Sequence, residues 1–123
     1  MILGIGTDLL DVARMAKELE KGEAGFRDTV FTPSEIADCE AKRHPARHFA
    51  ARFAAKEALF KALAGPAAGD SWREVEVASL GDAPRLLLHG RMKRAADRLG
   101  VKNILVSLSH THGLAAASVV LQG

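Results

Sequence analysis

The stretch Arg47–Leu63 has the sequence RHFAARFAAKEALFKAL and carries the strongest helix signal in the chain. Alanine and leucine dominate it, and neither glycine nor proline interrupts it, so intrinsic propensity favours one long helix. At ~100° per residue, three phenylalanines share a narrow stripe and four alanines fill the far side: Phe49, Phe53 and Phe60, against Ala51, Ala55, Ala58 and Ala62. A helix that is apolar on all sides is buried in a core or an interface. We therefore predict that this helix is the centre of the fold.

Two charged residues of the central helix, Glu57 and Lys61, lie beside the phenylalanine stripe. Charged groups on a largely buried helix need partners or a functional role. One interpretation is an ordinary ion pair between positions i and i+4 in the favourable order. The other is a functional site, and the helix alone does not decide between the two.

Length and composition predict one domain, residues 1–123, with enough apolar residues for a core. The chain has 123 residues, of which 48% are hydrophobic and 26% charged, with a net charge of +2 and no tyrosine. So mild a positive charge with so few aromatic residues does not indicate a nucleic-acid partner. The single Cys39 excludes an internal disulfide framework and a cysteine-based metal cage. No run approaches membrane-spanning length and the N-terminus lacks signal-peptide features, so we expect a cytoplasmic protein that makes no membrane contact.

The first half of the chain predicts one strand followed by three helices. Gly4 and Gly6 interrupt the first strand, and glycine in a strand often marks close approach by another backbone. The Thr32-Pro33-Ser34-Glu35 sequence is a capping box, and Asp11 can cap an earlier helix. The predicted elements are a strand at Ile2–Thr7 ended by Asp8, helices at Val12–Glu20 and Pro33–Lys42, and the central helix continuing to Ala64.

The second half predicts two hairpins separated by a helix. Alternating apolar residues mark strands, and short glycine-containing segments join them. The predicted elements are strands Glu74–Leu80 and Arg85–His89 around a Gly81–Pro84 turn, a helix at Arg91–Leu99, and strands Ile104–Ser109 and Leu114–Leu121 around a His110–Gly113 turn. Strands joined by hairpins pair antiparallel, so the fold class is α+β, with an antiparallel or mixed sheet packed on the long central helix.

Asp8, Glu57 and Lys61 together form the first candidate site. Two carboxylates without imidazole or thiolate ligands suit Mg²⁺, which completes its shell with water and substrate phosphates. A nearby lysine would hold a phosphate oxygen as a point charge. If the three residues converge, they predict metal-assisted phosphoryl-group chemistry. The alternative for Asp8 is a turn aspartate that leads into a helix.

The second candidate is the segment from Ser107 to His112, SLSHTH, whose hydroxyls and imidazoles could contact an anion. The alternative is ordinary polar turn chemistry, and a metal site at His110 and His112 is only weakly indicated. The chain has no G-x-S-x-G elbow, no phosphate-binding P-loop and no G-x-G-x-x-G motif, so those enzyme classes are not indicated.

Four segments resemble the holo-acyl-carrier-protein synthases, the small single-domain 4′-phosphopantetheinyl transferases. They are GIGTDLLDVAR at 4–14, FTPSE at 31–35, AARFAAKEALFKA at 50–62 and VSLSH at 106–110. They occur in order and cover almost the whole chain. The resemblance implies that the 4′-phosphopantetheine arm of coenzyme A is transferred to a serine of apo acyl carrier protein, with release of adenosine 3′,5′-bisphosphate.

The same resemblance implies roles for individual residues and an assembly. Asp8 and Glu57 would hold Mg²⁺, and Lys61 would contact the phosphate under attack or assist proton transfer. Arg14 would meet the acidic recognition helix of acyl carrier protein. The residues implied for binding coenzyme A, besides Lys61, are Arg52, Ser109, His110 and Thr111. Family members are homotrimers with active sites between neighbouring subunits.

Two alternatives to this function stay open at the level of sequence. One is a transferase that serves polyketide or peptide assembly rather than fatty acid biosynthesis. The other is a non-catalytic module that grips coenzyme A or a carrier protein. Two segments also depart from the family pattern, the loop at 65–69 and the Asp82-Ala83-Pro84 turn, so coenzyme A contacts from them are not expected to follow the family.

Overall fold

The computed structural model describes residues 1–21, 25–64, 72–80 and 83–123, and the side chain of Leu80 is not among the described atoms. The elements in chain order are β1 (Ile2–Asp11), α1 (Val12–Glu20), α2 (Phe26–Val30), α3 (Pro33–Glu40), α4 (Pro45–Ala62), a 3₁₀ turn (Trp72–Glu74), β2 (Val75–Leu80), β3 (Ala83–Leu88), α5 (Gly90–Leu99), β4 (Asn103–Thr111) and β5 (Leu114–Gln122). None of the helices described is long and apolar enough to cross a membrane.

The strands form two antiparallel sheets, which confirms the α+β class. One sheet has three strands in the order β1-β5-β4, and the other pairs β2 with β3. Every described pairing is antiparallel, so of the two predicted arrangements the antiparallel one is found. The three-stranded sheet brings the first strand of the chain against the last hairpin.

Helix α4 lies on the inner face of the three-stranded sheet, as its all-round apolar pattern predicts. Its phenylalanines at 49 and 60 and its alanines from Ala50 to Ala62 are buried, and Leu59 is fully enclosed. The helix backbone approaches β1 so closely that a Cβ atom on Gly6 would overlap the carbonyl oxygen of Ala58, and one on Gly4 would overlap that of Ala62. The two strand glycines are therefore required by helix–sheet contact, as predicted.

Two helix starts in the first half follow the capping signals. Asp11 accepts hydrogen bonds from the backbone of Ala13 and Arg14 and begins α1. The capping box at Thr32 and Glu35 is complete and begins α3. The sequence signals for these helix starts were sufficient because both are local hydrogen-bond patterns.

One strand end in this half was predicted wrongly, and two helical features were not specified by the prediction. Strand β1 continues through Asp8 to Asp11, because Asp8 pairs with Ala117 of β5. Helix α4 begins at Pro45, since proline is well suited to the first helical turn. The short helix α2 was missed because its N-cap, Gly25, offers no side-chain cap and its five residues carry no helical period.

The last hairpin turns more tightly than predicted. Its strands run to Thr111 and resume at Leu114, so only His112 and Gly113 form the turn, with φ angles of 47° and 79°. Two positive φ angles are typical of the turn that best matches strand twist. Ser109, His110 and Thr111 therefore belong to β4 and not to the turn. The loop at 65–69 and the Gly81–Asp82 part of the other predicted turn lie outside the described residues.

Candidate functional site

A cleft of about 400 Å³ opens between β1, α1, α2 and α4, and we call it the carboxylate cleft. Its lining residues are Asp8, Leu9, Leu10, Arg14, Met15, Glu18, Phe26, Phe53 and Glu57. Asp8 comes from the second half of β1 and Glu57 from α4. The cleft thus combines carboxylates, one arginine and an aromatic wall.

Lys61 joins this cleft through Asp8. Its ammonium group donates to Asp8 Oδ1 at 3.1 Å and to the carbonyl oxygen of Thr7 at 3.0 Å. The Lys61 side chain is 54% exposed and that of Asp8 17% exposed. The structure therefore brings together the three residues predicted to form the site. The alternative pair of Lys61 with Glu57 is not the salt bridge found, because Lys61 contacts Asp8.

The surroundings of Glu57 disfavour the charged form of its carboxyl group. Burial of the carboxyl raises its pKa, the nearby Asp8 raises it further, and Lys61 partly opposes the rise. A carboxylate placed next to another carboxylate in a partly buried position is stabilised by a cation. The electrostatics of the cleft therefore favour a positively charged ligand.

The donor set of Asp8 and Glu57 fits Mg²⁺ better than other common metals. Magnesium binds through one or two carboxylates and keeps sites for water and phosphate oxygens. No group of three or more histidine, cysteine, aspartate or glutamate side chains suited to a metal occurs within the described ranges. The described residues therefore do not form a closed protein cage of the zinc type, and the chemistry of Asp8 and Glu57 suits an open site of two carboxylates.

A second pocket, of about 360 Å³, lies on another side of α4, and we call it the arginine pocket. Its lining residues are Asp38, Lys42, His48, Ala51, Arg52, Ser79, Leu108 and His110. Arg52 is only 5% exposed, and its Nε atom is buried without a hydrogen-bond partner in the described structure. Its nearest acid is Asp38, with Nη2 3.9 Å from Oδ2. A buried cation left so incompletely paired favours an anionic ligand.

The other groups of the arginine pocket reinforce this positive character. Burial lowers the pKa of His48, and the nearby Arg52, Lys42, His110 and Arg47 lower it further. Side chains alternate along a strand, so His110 faces this pocket while Ser109 and Thr111 project from the opposite face of the sheet. Of the three β4 residues predicted to bind coenzyme A, only His110 lines the same pocket as Arg52 within one subunit.

The carboxylate cleft and the arginine pocket share no lining residue. Glu57 and Arg52 are five positions apart on α4, about 140° around the helix axis. The two predicted parts of the site, for phosphoryl chemistry and for coenzyme A, therefore open on different sides of the helix.

Several residues of these sites were missed at the level of sequence. Asp38, Lys42 and His48 lie outside the four segments that carry the family resemblance, and their convergence on Arg52 depends on how α3 packs on α4. Lys56 was missed although its signal was present: it interrupts a run of alanines on a helix with no polar face. Such a lysine needs a buried partner, and the structure supplies one in Glu35, at 2.7 Å.

Comparison with known proteins supplies the family. The model of the 4′-phosphopantetheinyl transferase superfamily matches residues 4–117. The chain belongs to this superfamily. It is 49% identical to a holo-[acyl-carrier-protein] synthase of Anaeromyxobacter sp. (strain Fw109-5) over 126 residues, covering 100% of this chain and 97% of the relative. The resemblance to holo-acyl-carrier-protein synthases and the prediction of enzyme class are thereby confirmed.

Solved structures agree with this membership of the transferase superfamily. The holo-[acyl-carrier-protein] synthase of Neisseria meningitidis aligns with a TM-score of 0.90 at 27% identity, covering all of both chains. The Helicobacter pylori synthase, solved in complex with coenzyme A, aligns with a TM-score of 0.82 at 31% identity and covers 96% of this chain and 99% of that one.

Proposed function

We propose that this transferase moves the 4′-phosphopantetheine arm of coenzyme A to a serine of apo acyl carrier protein in a Mg²⁺-dependent reaction that releases adenosine 3′,5′-bisphosphate. The observation that carries the proposal is the convergence of Asp8, Glu57 and Lys61 at one end of a cleft that also contains Arg14. The relatives named above are synthases of holo acyl carrier protein, and one of them was solved with coenzyme A.

In this proposal Asp8 and Glu57 would hold Mg²⁺, and the ion would supply positive charge against the diphosphate of coenzyme A. Lys61 uses two of its three N–H groups on Asp8 and the Thr7 carbonyl, which leaves one for a phosphate oxygen. Because charge develops on the leaving phosphate, a lysine fixed beside the metal ligands stabilises the transition state without reorganising.

We assign the nucleotide end of coenzyme A to the arginine pocket. The 3′-phosphate offers the charged acceptor that Arg52 Nε lacks, and Lys42, His48 and His110 surround the same space. Charge-assisted hydrogen bonds from a guanidinium to phosphate are among the stronger polar contacts in proteins.

We assign the carrier protein to the exposed side of α1. Arg14, Lys17 and Lys21 are all exposed, and Arg14 also lines the carboxylate cleft. An acidic carrier helix would be steered to this surface by charge. The acceptor serine would then enter the cleft beside Asp8 and Glu57. We expect residues 1–123 to act as one domain in the cytoplasm, where a buried free thiol such as Cys39 stays reduced.

A homotrimer would unite the two separated pockets. The outer face of the three-stranded sheet carries the exposed Ile5 and Leu105, which share one cross-strand row with Val120. Exposed apolar rows of this kind favour self-association. Ser109 and Thr111 project from the same face, so in a trimer they would reach a neighbour. A site built from one subunit's carboxylate cleft and the next subunit's arginine pocket would bring the two halves together.

The assembly is tested by the mass of the chain in solution. Ile5→Lys places a charge in the apolar row and should convert the trimer to monomer in sedimentation velocity, with transfer activity lost. The control is Leu87→Lys, because Leu87 is 38% exposed but lies on β3, outside this sheet. An Ile5→Lys protein that keeps the wild-type mass would contradict assembly through this face.

The reaction is tested by following both products. Purified protein, coenzyme A and apo acyl carrier protein should give a carrier heavier by one phosphopantetheine and an equal amount of adenosine 3′,5′-bisphosphate by chromatography. Excess chelator should stop both, and added Mg²⁺ should restore them. Conversion that persists in chelator would contradict the metal requirement, and no conversion with any divalent metal would contradict the enzyme. Running carriers of fatty acid, polyketide and peptide synthesis in parallel separates the alternatives left open by the sequence.

A further inference from the structure

The phenylalanine and tryptophan rings of the chain form one continuous series of contacts. The chain has five phenylalanines, one tryptophan and no tyrosine. The ring centroids in order are Phe49 to Phe31 at 4.8 Å, Phe31 to Phe26 at 6.5 Å, Phe26 to Phe53 at 6.5 Å, Phe53 to Trp72 at 4.9 Å, and Trp72 to Phe60 at 5.1 Å. We call this series the aromatic chain. It begins and ends in the core, and its middle members, Phe26 and Phe53, line the carboxylate cleft.

The ammonium group of Lys56 lies at the centre of this arrangement. Its side chain is fully buried. The Nζ atom donates to the carbonyl oxygens of Val30 at 2.7 Å and Trp72 at 3.0 Å, and to Glu35 Oε1 at 2.7 Å. It also lies 5.3 Å from the centroid of the Phe31 ring. All three of its N–H groups are therefore used.

One carbonyl group belongs to α2, which carries Phe26 of the aromatic wall, and the other belongs to the 3₁₀ turn that packs on Phe53, the second ring of that wall. Val30 is the last residue of α2, and Phe26 is the first. Trp72 stacks on Phe53 with an interplanar angle of 21°. One buried ammonium thus binds the backbone of both segments at the same point.

Neither segment is strongly stabilised by contacts within itself. Helix α2 has five residues and no side-chain cap, and helices this short are marginal without tertiary contacts. Trp72 lies in a three-residue 3₁₀ turn. Glu35 is fixed independently, since its carboxylate also accepts from the backbone N–H groups of Thr32 and Val77.

We propose that Lys56 is a positioning residue. Its ammonium group holds α2 to the Trp72 turn and thereby fixes the aromatic wall of the carboxylate cleft. The serine segment of the carrier protein binds against this wall. The part concerning the carrier rests on the proposed function. The part concerning the wall does not. If the pair of Lys56 with Glu35 served folding alone, the cleft would be unchanged in any variant that still folds.

The experiment uses the double variant Lys56→Met with Glu35→Gln, which removes both charges and leaves no unpaired buried ion. Trp72 is the only tryptophan, so its fluorescence reports on the aromatic chain directly. Acrylamide quenching of Trp72 should rise about threefold, and KM for apo carrier should rise about tenfold with kcat within about twofold of wild type. The matched control is Lys93→Met with Asp97→Asn, an exposed pair at 2.6 Å on α5, which should change neither.

A folded double variant with wild-type quenching and wild-type KM would overturn the proposal. Should the double variant not unfold cooperatively, Phe26→Leu tests the wall from its other end: a raised KM with unchanged kcat supports the proposal, and an unchanged KM overturns it. If the protein modified no carrier at all, the proposed function would fail, but the quenching result would still decide whether Lys56 fixes the aromatic chain.

Discussion

Helix α4 carries two lysine–carboxylate pairs that differ in almost every physical respect. Lys56 and Glu35 are both fully buried and 2.7 Å apart, and every N–H group of the lysine is bonded. Lys61 and Asp8 are 3.1 Å apart, but the lysine side chain is 54% exposed and a second carboxylate, Glu57, lies beside them. The first pair is closed to ligands, and the second is open to them.

This difference shows that one helix can both stabilise the fold and present groups that bind ligands. A buried ion pair repays its desolvation only when its geometry and additional hydrogen bonds are complete, so the pair at Lys56 has one stable arrangement. An exposed pair gains little from its own contact and can exchange a partner at small cost. The pair at Lys61 can therefore release Asp8 to a metal ion, whereas the pair at Lys56 holds the surroundings still.

The largest expected effect comes from Lys56→Met. This change leaves Glu35 charged and buried without its partner, so the free energy of unfolding in urea should fall by about 3–5 kcal/mol. Adding Glu35→Gln should recover part of the loss, because it removes the unpaired charge but keeps only one of the two oxygens that accept from Thr32 and Val77. A single variant as stable as the wild-type protein would contradict the distinction between the two pairs.

The second effect comes from Lys61→Met, the same substitution five residues further along α4. Since this pair is exposed, stability should change by less than about 1 kcal/mol. Carrier modification should fall about 100-fold, equivalent to about 2.7 kcal/mol of barrier, because a phosphate contact is removed. Steady-state rates and urea unfolding measured together check it; a loss of stability with activity retained would reverse the roles assigned here.

A smaller effect is expected from Arg52→Gln in the arginine pocket. The buried guanidinium has an unpaired Nε, so its removal should leave stability unchanged or slightly raised. KM for coenzyme A should rise about tenfold, or about 1.4 kcal/mol, while kcat is retained. Donor lacking the 3′-phosphate provides the control, because wild type and variant should then behave alike. If wild type and variant discriminate equally between coenzyme A and the donor that lacks the 3′-phosphate, Arg52 does not bind the 3′-phosphate.

The smallest effect concerns pH and His48. The pKa of His48 is lowered from its ordinary 6.5 in the folded protein, first by burial and then by the surrounding cations. The unfolded chain therefore binds this proton more readily, and stability contributed by neutral His48 is lost as pH falls from about 6.5 through the folded pKa. His48→Gln should flatten this slope in thermal melts between about pH 8 and about pH 5.5. Identical slopes for both proteins would show that His48 does not titrate in this way.

The sequence was most informative where local chemistry determines structure. The caps at Asp11 and Thr32, the periodicity of α4 and the two strand glycines each depend on a few neighbouring residues, and the structure follows them. The position of Asp8 within β1 could not be predicted, since it depends on pairing with β5 more than one hundred residues away in sequence.

The candidate site was predicted in part. The motif containing Glu57 and Lys61 identified one side of α4, whereas Lys56 lies within the same motif and its role depends on a partner from α3. Its partner, Glu35, was predicted only as a capping residue. The structure shows that one carboxylate performs both tasks. Residues with two roles are hard to recognise from sequence because either role alone explains them.

The most direct test of the open site is the intact mass of apo acyl carrier protein incubated with coenzyme A, Mg²⁺ and either wild type or Glu57→Gln. The substitution keeps the shape of the side chain and removes the charge that the cleft offers to a metal. Wild type should convert the carrier to the form heavier by one phosphopantetheine, while Glu57→Gln, with an unaltered melting temperature, should leave it unmodified over the same time. Equal conversion by the two proteins would contradict the assignment of Glu57 to the reaction.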